Sequence, residues 1–132
     1  MGKVLIEGAT VVTLDSEGNI FSPGDIILED DRLVYVGPTQ ERRAWYPDRV
    51  ISGHGKIAIP GLINTHTHAA MTLFRSYADD LALKPWLEDK IWPLEAKLTP
   101  EAVYWGSLLA CLEMLEAGVT TFADMYFLCE ET

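Results

Sequence analysis

The chain is poor in positive charge. Ten Lys and Arg stand against 20 Asp and Glu, a formal net charge of −10. Arg42-Arg43 is an isolated pair and no basic stripe forms. Phosphate contacts need clustered cations, so no nucleic-acid partner is expected. The acidic excess favours solubility and says little about fold. Cysteine is scarce as well. Cys111 and Cys129 are the only two in 132 residues, and neither belongs to a CxxC pair. That removes the basis for a zinc ribbon or a redox motif. Two reduced thiols fit a cytoplasmic protein. Long apolar runs are missing too. After Lys3 only Val4-Leu5-Ile6 precede Glu7, too short for the apolar core of a signal peptide. No run nears the roughly 20 residues of a membrane span, so a cytoplasmic protein without membrane contact is expected.

What is present suits a globular domain. Hydrophobic residues make up 48% and charged residues 23%, a balance that argues against disorder. Residues 1–59 read as short strands and turns. Strand candidates are 4–7 and 10–14, broken by Gly8, then 25–29 and 33–36 as a hairpin around Asp30-Asp31-Arg32. Shorter ones at 50–51 and 56–59 flank Gly53-His54-Gly55, where His54 reads as exposed and uninvolved. So many short strands suggest a small sandwich or an open sheet.

The character changes at Pro60-Gly61. Residues 62–65 form a buried-type strand, 70–77 a short helix, and 86–97 another that Pro93 kinks or restarts. Thr99-Pro100-Glu101 is a strong helix start, with Thr as N-cap, Pro at the first position and an acid in the first turn. The helix should run to about Ala117 and stop at Gly118. Its apolar residues leave a narrow polar strip at Ser107, Glu113 and Glu116, so it should pack on a sheet and on elements beside it. Residues 119–125 return as a buried-type strand. Strand, helices and strand make a βαβ crossover and imply a parallel pair.

The most informative segment is Asn64-Thr65-His66-Thr67-His68. Alternation on a strand puts His66 and His68 on one side, with Cα atoms about 6–7 Å apart. Two imidazoles so placed can converge on one ion. Spacing alone also permits the plainer reading of two polar residues on an exposed strand end.

Together with Gly55 to Gly61 (Gly-Lys-x-x-x-Pro-Gly), this His-x-His segment resembles the N-terminal third of the amidohydrolase superfamily of metal-dependent hydrolases. Met71-Thr72-Leu73, Trp86-Leu87, Pro93-Leu94-Glu95 and Thr121-Phe122-Ala123-Asp124-Met125-Tyr126 are similar to the branch that deaminates aminated purines. Chlorohydrolases and guanine deaminases share much of this region and stay open as alternatives.

The resemblance implies an α/β chain. Residues 1–59 would supply strands of a β-sandwich, and 60–132 the first βαβ unit of an incomplete TIM (β/α)8 barrel, truncated after its second strand. A complete barrel needs about 250 residues. The implied reaction is hydrolysis of the 6-amino group of an adenosine-type nucleoside carrying a 5′ thioether, to the inosine form plus ammonia. The resemblance makes His66 and His68 the first two ligands of one divalent metal, zinc ahead of iron. It matches Glu95 to the glutamate that binds the ribose hydroxyls; without it, Glu95 reads as a solvated helix residue. Trp86 and Trp92 read as wall and core, Glu88-Asp89 as a solvated face, and Asp124 as a structural hydrogen-bond acceptor. No catalytic acid or base is assigned within the segment; those groups are expected beyond Thr132. The implied partners are the nucleoside, the missing remainder of the barrel and, left open, further copies of the chain. The competing expectations are a truncated fragment without activity of its own and a small structural or binding module that kept barrel pieces without chemistry.

Overall fold

A computed structural model describes residues 2–40 and 46–126; Arg42, Arg43 and Cys129 lie outside them. The chain divides into two compact units, Met1–Pro60 and Gly61–Thr132. The first is built of strands and the second of strand, helices and strand, so the chain is α/β. Among the described residues, no helix is long and apolar enough to cross a membrane.

The first unit holds strands β1 (Lys3–Val12), β2 (Ile20–Glu29), β3 (Arg32–Pro38), β4 (Arg49–Ser52) and β5 (Ile57–Ala58). They form one sheet in the order β3-β2-β1-β4, with β5 also pairing with β1. The first three run antiparallel, with Ile6 opposite Ile26 and Ile26 opposite Val36. Such facing β-branched pairs suit a pleated surface. Strands β4 and β5 lie parallel to β1. Leu5, Ala9, Val11 and Ile27 are buried.

Gly8 does not break β1, contrary to the sequence expectation. The register slips between Ile6 and Ala9, so the strand runs through a bulge. Gly8 takes φ +70°, a conformation open to a residue without a Cβ. Its N–H donates to the buried Asp25 carboxylate at 2.9 Å, which the Thr39 hydroxyl also reaches at 2.9 Å. The exposed His54 lays its ring over Gly8, where a Cβ would overlap it.

In the second unit β6 (Leu62–Thr67) and β7 (Val119–Asp124) pair in parallel. Between them come a 3₁₀ helix (Ala69–Phe74), three short helical pieces (Leu83–Pro85, Trp86–Ile91 and Trp92–Glu95) and a long helix (Pro100–Glu116). The long helix begins as its sequence dictates. The Thr99 hydroxyl accepts from the Ala102 N–H at 3.2 Å, and Pro100 occupies the first turn. It ends at Ala117, followed by Gly118 at φ +81°.

Three local expectations are corrected. The segment expected as a helix over 70–77 is a 3₁₀ helix drawn tightly onto the long helix. The contact works because Gly106 has no side chain: a Cβ there would lie 2.8 Å from the Ala70 carbonyl oxygen. The Thr72 hydroxyl donates to the Gly106 carbonyl at 2.7 Å, and Arg75 donates twice to Glu113, at 3.0 and 2.5 Å. Second, the helix expected over 86–97 ends at Glu95. Pro93 cannot donate, so the turn before it widens to π geometry and an α turn restarts at Trp92. Third, Ser107 belongs to no solvent strip. It is 3% exposed, on the same buried face as Val103, Gly106 and Ala110. The opposite face bares Trp105 and Leu115, 56% and 64% exposed. Ala70, Val103 and Tyr126 form the buried cluster, with Met71 and Leu98 packed against it.

Candidate metal and substrate site

The His-x-His pair sits where β6 departs from regular pairing. Asn64 faces Phe122 and Thr67 faces Asp124, so three steps on β6 match two on β7. One extra residue bulges out at Thr65-His66, and bulges re-aim side chains. The Asn64 side-chain oxygen accepts the His66 N–H at 3.2 Å and ties down the bulge. Strand β6 ends at Thr67, so His68 lies one step outside it, as the residue that opens the 3₁₀ helix. Its carbonyl accepts from the Met71 N–H at 2.9 Å. The pair therefore converges through a bulge and a helix start, not through simple alternation. The two rings meet edge to face with centroids 5.2 Å apart.

Strand β7 supports the same place. Asp124 Oδ1 accepts the N–H of Ala69, next to His68, at 3.2 Å. The Met125 N–H donates to the Thr67 carbonyl at 2.9 Å. Asp124 Oδ2 is buried and has no hydrogen-bond partner among the described residues. The Tyr126 ring packs edge-on to His68, centroids 6.4 Å apart.

A cavity of about 230 Å³ opens beside His68. Glu95, Trp86, Leu87 and Trp92 line it from the helical pieces, Met71 from the 3₁₀ helix, and Met125 and Tyr126 from the segment directly after β7. The structure thus brings His68 and Glu95 to one cavity, with both tryptophans in its wall. Complete ligand pockets run to about 300–1,000 Å³, so this is a partial wall. Tyr126 was given no role from the sequence. The available signal was an aromatic directly after a buried strand, at the strand end where barrel folds place chemistry. Its phenol is pushed above the ordinary value, first by burial and then by the neighbouring Glu95 and Asp124 carboxylates.

The donors fit zinc or iron in kind, since imidazole suits both. They fall short in number. Among the described residues no third His, Cys, Asp or Glu completes a cluster, and catalytic zinc takes three protein ligands plus water. A larger groove of about 420 Å³ lies on the outer face of the long helix, lined by Trp105, three leucines, Cys111 and Leu115. Its wall is almost wholly apolar, with one indole and one thiol among leucines, and offers few of the polar groups that orient a small ligand.

The same combination recurs in known proteins. A 5-methylthioadenosine/S-adenosylhomocysteine deaminase of Moorella thermoacetica is 56% identical over 96% of this chain and 29% of its own length. A 5′-deoxyadenosine deaminase of Methanosarcina mazei is 52% identical over the whole chain and 30% of its own length. The chain therefore spans about three-tenths of the curated relatives it matches. Among solved structures, an adenosine deaminase of Xanthomonas campestris with bound zinc superposes with a TM-score of 0.87 at 38% identity, over 97% of this chain and 30% of that one. A zinc complex of an atrazine chlorohydrolase from Arthrobacter aurescens gives 0.78 at 31% identity, over 93% and 28%. The amidohydrolase family model matches residues 57–130, more than half of the sequence and all of the strand, helix and strand that carry the site, and the chain belongs to the amidohydrolase family.

Proposed function

We propose that the chain is the N-terminal segment of a metal-dependent deaminase with a (β/α)8 barrel, acting on adenosine-type nucleosides that carry a thioether or hydrogen at the 5′ position. The observation that carries this reading is the meeting of His68 and Glu95 at one cavity beside the His66–His68 ring pair. In this reading His66 and His68 hold one divalent metal, zinc foremost. When bound, that metal supplies Lewis acidity and activates water near neutral pH.

The remaining work falls to the chain's own groups. Asn64 fixes the His66 backbone, and Asp124 fixes the backbone that follows His68. Glu95 accepts hydrogen bonds from the two vicinal ribose hydroxyls, and charge-assisted bonds of this kind are the strong ones. Trp86, Trp92, Met71 and Met125 offer apolar walls that exclude water from one side of the nucleoside. The general acid/base and the remaining metal ligands belong to the part of the barrel outside this segment. Five strands of the first unit would contribute to a β-sandwich.

A second reading, hydrolytic dechlorination of a triazine, draws on the 0.78 superposition with the chlorohydrolase. It has less support. The sequence is closer to the nucleoside deaminases, and a triazine has no vicinal diol for Glu95 to bind. The test is a chimera that joins residues 1–132 to the remaining seven-tenths or so of the Moorella relative, loaded with zinc. Ammonia release from methylthioadenosine, S-adenosylhomocysteine or 5′-deoxyadenosine is expected. Silence with all three, beside rapid turnover of guanine or a chlorinated triazine, would overturn the proposal.

A further inference from the structure

We propose that Pro93 is a positioning residue for the diol anchor: by withholding an N–H it keeps the turn before it in π geometry, and that turn carries Glu95 round to the wall made by Trp86 and Leu87. The step from wall to diol rests on the reading of Glu95 given above. The three helical pieces from Leu83 to Glu95 follow one another without a break in the helical backbone. Pro85, Trp86, Ile91 and Trp92, the residues at their joins, all hold right-handed helical angles. What changes is the hydrogen-bond ladder. The Trp86 N–H donates to the Ala82 carbonyl, four residues back, at 2.9 Å. The Trp92 N–H donates to the Leu87 carbonyl, five residues back. The Ala96 N–H returns to a spacing of four, on the Trp92 carbonyl at 3.0 Å. A widened turn between Trp86 and Trp92 has therefore absorbed one residue.

That one residue decides which side chains share a face. An α-helix turns about 100° per residue. Glu95 follows Trp86 by nine residues. Unbroken α winding would set the two about 180° apart around the axis, and one absorbed step brings them to about 80°. The angle from Leu87 to Glu95 falls likewise from about 80° to about 20°. Trp86, Leu87, Ile91, Trp92 and Glu95 do line one cavity, as the absorbed step requires. Pro93 excludes the α alternative. In an α turn residue 93 would donate to the Asp89 carbonyl; proline has no N–H to give and presses its ring on that oxygen. Packing then selects the widened turn, because a kink would withdraw Ile91, 1% exposed, from its neighbours. Pro85 has no such effect, since it stands in the first turn, where an N–H lacks an intrahelical acceptor.

The experiment uses the zinc-loaded chimera with 5′-deoxyadenosine and with its analogue lacking both ribose hydroxyls. The quantity measured is the ratio of KM for the analogue to KM for the diol substrate, in which general damage to the site cancels. Pro93→Ala restores the N–H and lets the turn close as α. It should lower the ratio roughly ten-fold, as expected when hydrogen bonds to a charged group are lost. Deleting the exposed Asp89 as well removes the surplus residue, so an α turn again brings Glu95 to the cavity. The double variant should recover the parent ratio, a rescue that lost rigidity alone would not show. An unchanged ratio in Pro93→Ala, or a ratio still low in the double variant, overturns the proposal. Glu95→Gln keeps the two failures apart. If it leaves the ratio unchanged, the Glu95 reading falls and this proposal with it. If it lowers the ratio and Pro93→Ala does not, only the positioning role falls. Should Pro93→Ala alone fail to fold, the double variant decides: the parent ratio upholds the proposal, and a low ratio or an unfolded protein overturns it.

Discussion

At the scale of single residues the site depends on a glycine that has no chemistry. Gly106 lets the 3₁₀ helix after His68 lie directly on the long helix; an added Cβ would sit 2.8 Å from the Ala70 carbonyl and 2.9 Å from the Leu73 side chain. Backbone cannot give way as a flexible side chain can, so Gly106→Ala should force the two helices apart. Overpacking of this kind costs about 1–3 kcal/mol. Chemical denaturation of the chimera should show that loss, together with weaker zinc retention, because the first residue before the displaced helix is His68. Unchanged zinc retention in a destabilised variant would separate the helix contact from the metal edge. The residues themselves were unevenly legible. His66, His68 and Glu95 were each named from sequence, and His68 and Glu95 meet at one cavity. Tyr126 was not, because its place against His68 and in the cavity wall is set by tertiary packing. Gly106 was equally silent: inside an apolar helix a glycine shows only a lower helix propensity, and the close approach that needs it is tertiary.

Elements were legible where their signals are local. The long helix carries its own start and stop in Thr99, Pro100 and Gly118, and it begins and ends at them. Thr99→Ala removes the side-chain oxygen that accepts the Ala102 N–H. It should destabilise the second unit by about 1 kcal/mol, with Thr99→Ser restoring the loss. Urea midpoints of the three proteins check this, and equal midpoints would show that the cap contributes nothing. Other elements depended on partners that the sequence does not display. The bulges at Gly8 in β1 and at Thr65-His66 in β6 arise from pairing against β2 and β7, so each strand alone looked broken or regular. The π turn before Pro93 was half legible: the missing donor announced a disturbance, while its form followed from packing. The polar strip through Ser107 misled for the same reason. The long helix is apolar nearly all round, so periodicity could not say which side faces its neighbour.

At the scale of the whole molecule, two facts point the same way. The chain spans about three-tenths of its curated relatives, and its second unit bares apolar surface. Leu62 and Ile63 on β6, and Trp105, Leu108, Leu112 and Leu115 on the long helix, are all exposed. A two-stranded parallel sheet also leaves strand edges that invite pairing. The net charge of −10 opposes association but does not cover apolar area. Purified residues 1–132 should therefore self-associate, bind a hydrophobic dye and show no metal-dependent deamination, because on the proposed reading two histidines hold the metal and no third ligand joins them among the described residues. Mixing them with a separately expressed remainder of the Moorella relative should restore turnover of 5′-deoxyadenosine and lower dye binding together, since the same surface is being covered. Sedimentation and ammonia release measure both effects. A monomeric isolated chain that turns over substrate with added zinc would show that the site is complete within these residues. That outcome would also move the missing ligand back inside the segment, with Asp124 the first group to examine, because its Oδ2 is buried and lacks a hydrogen-bond partner among the described residues.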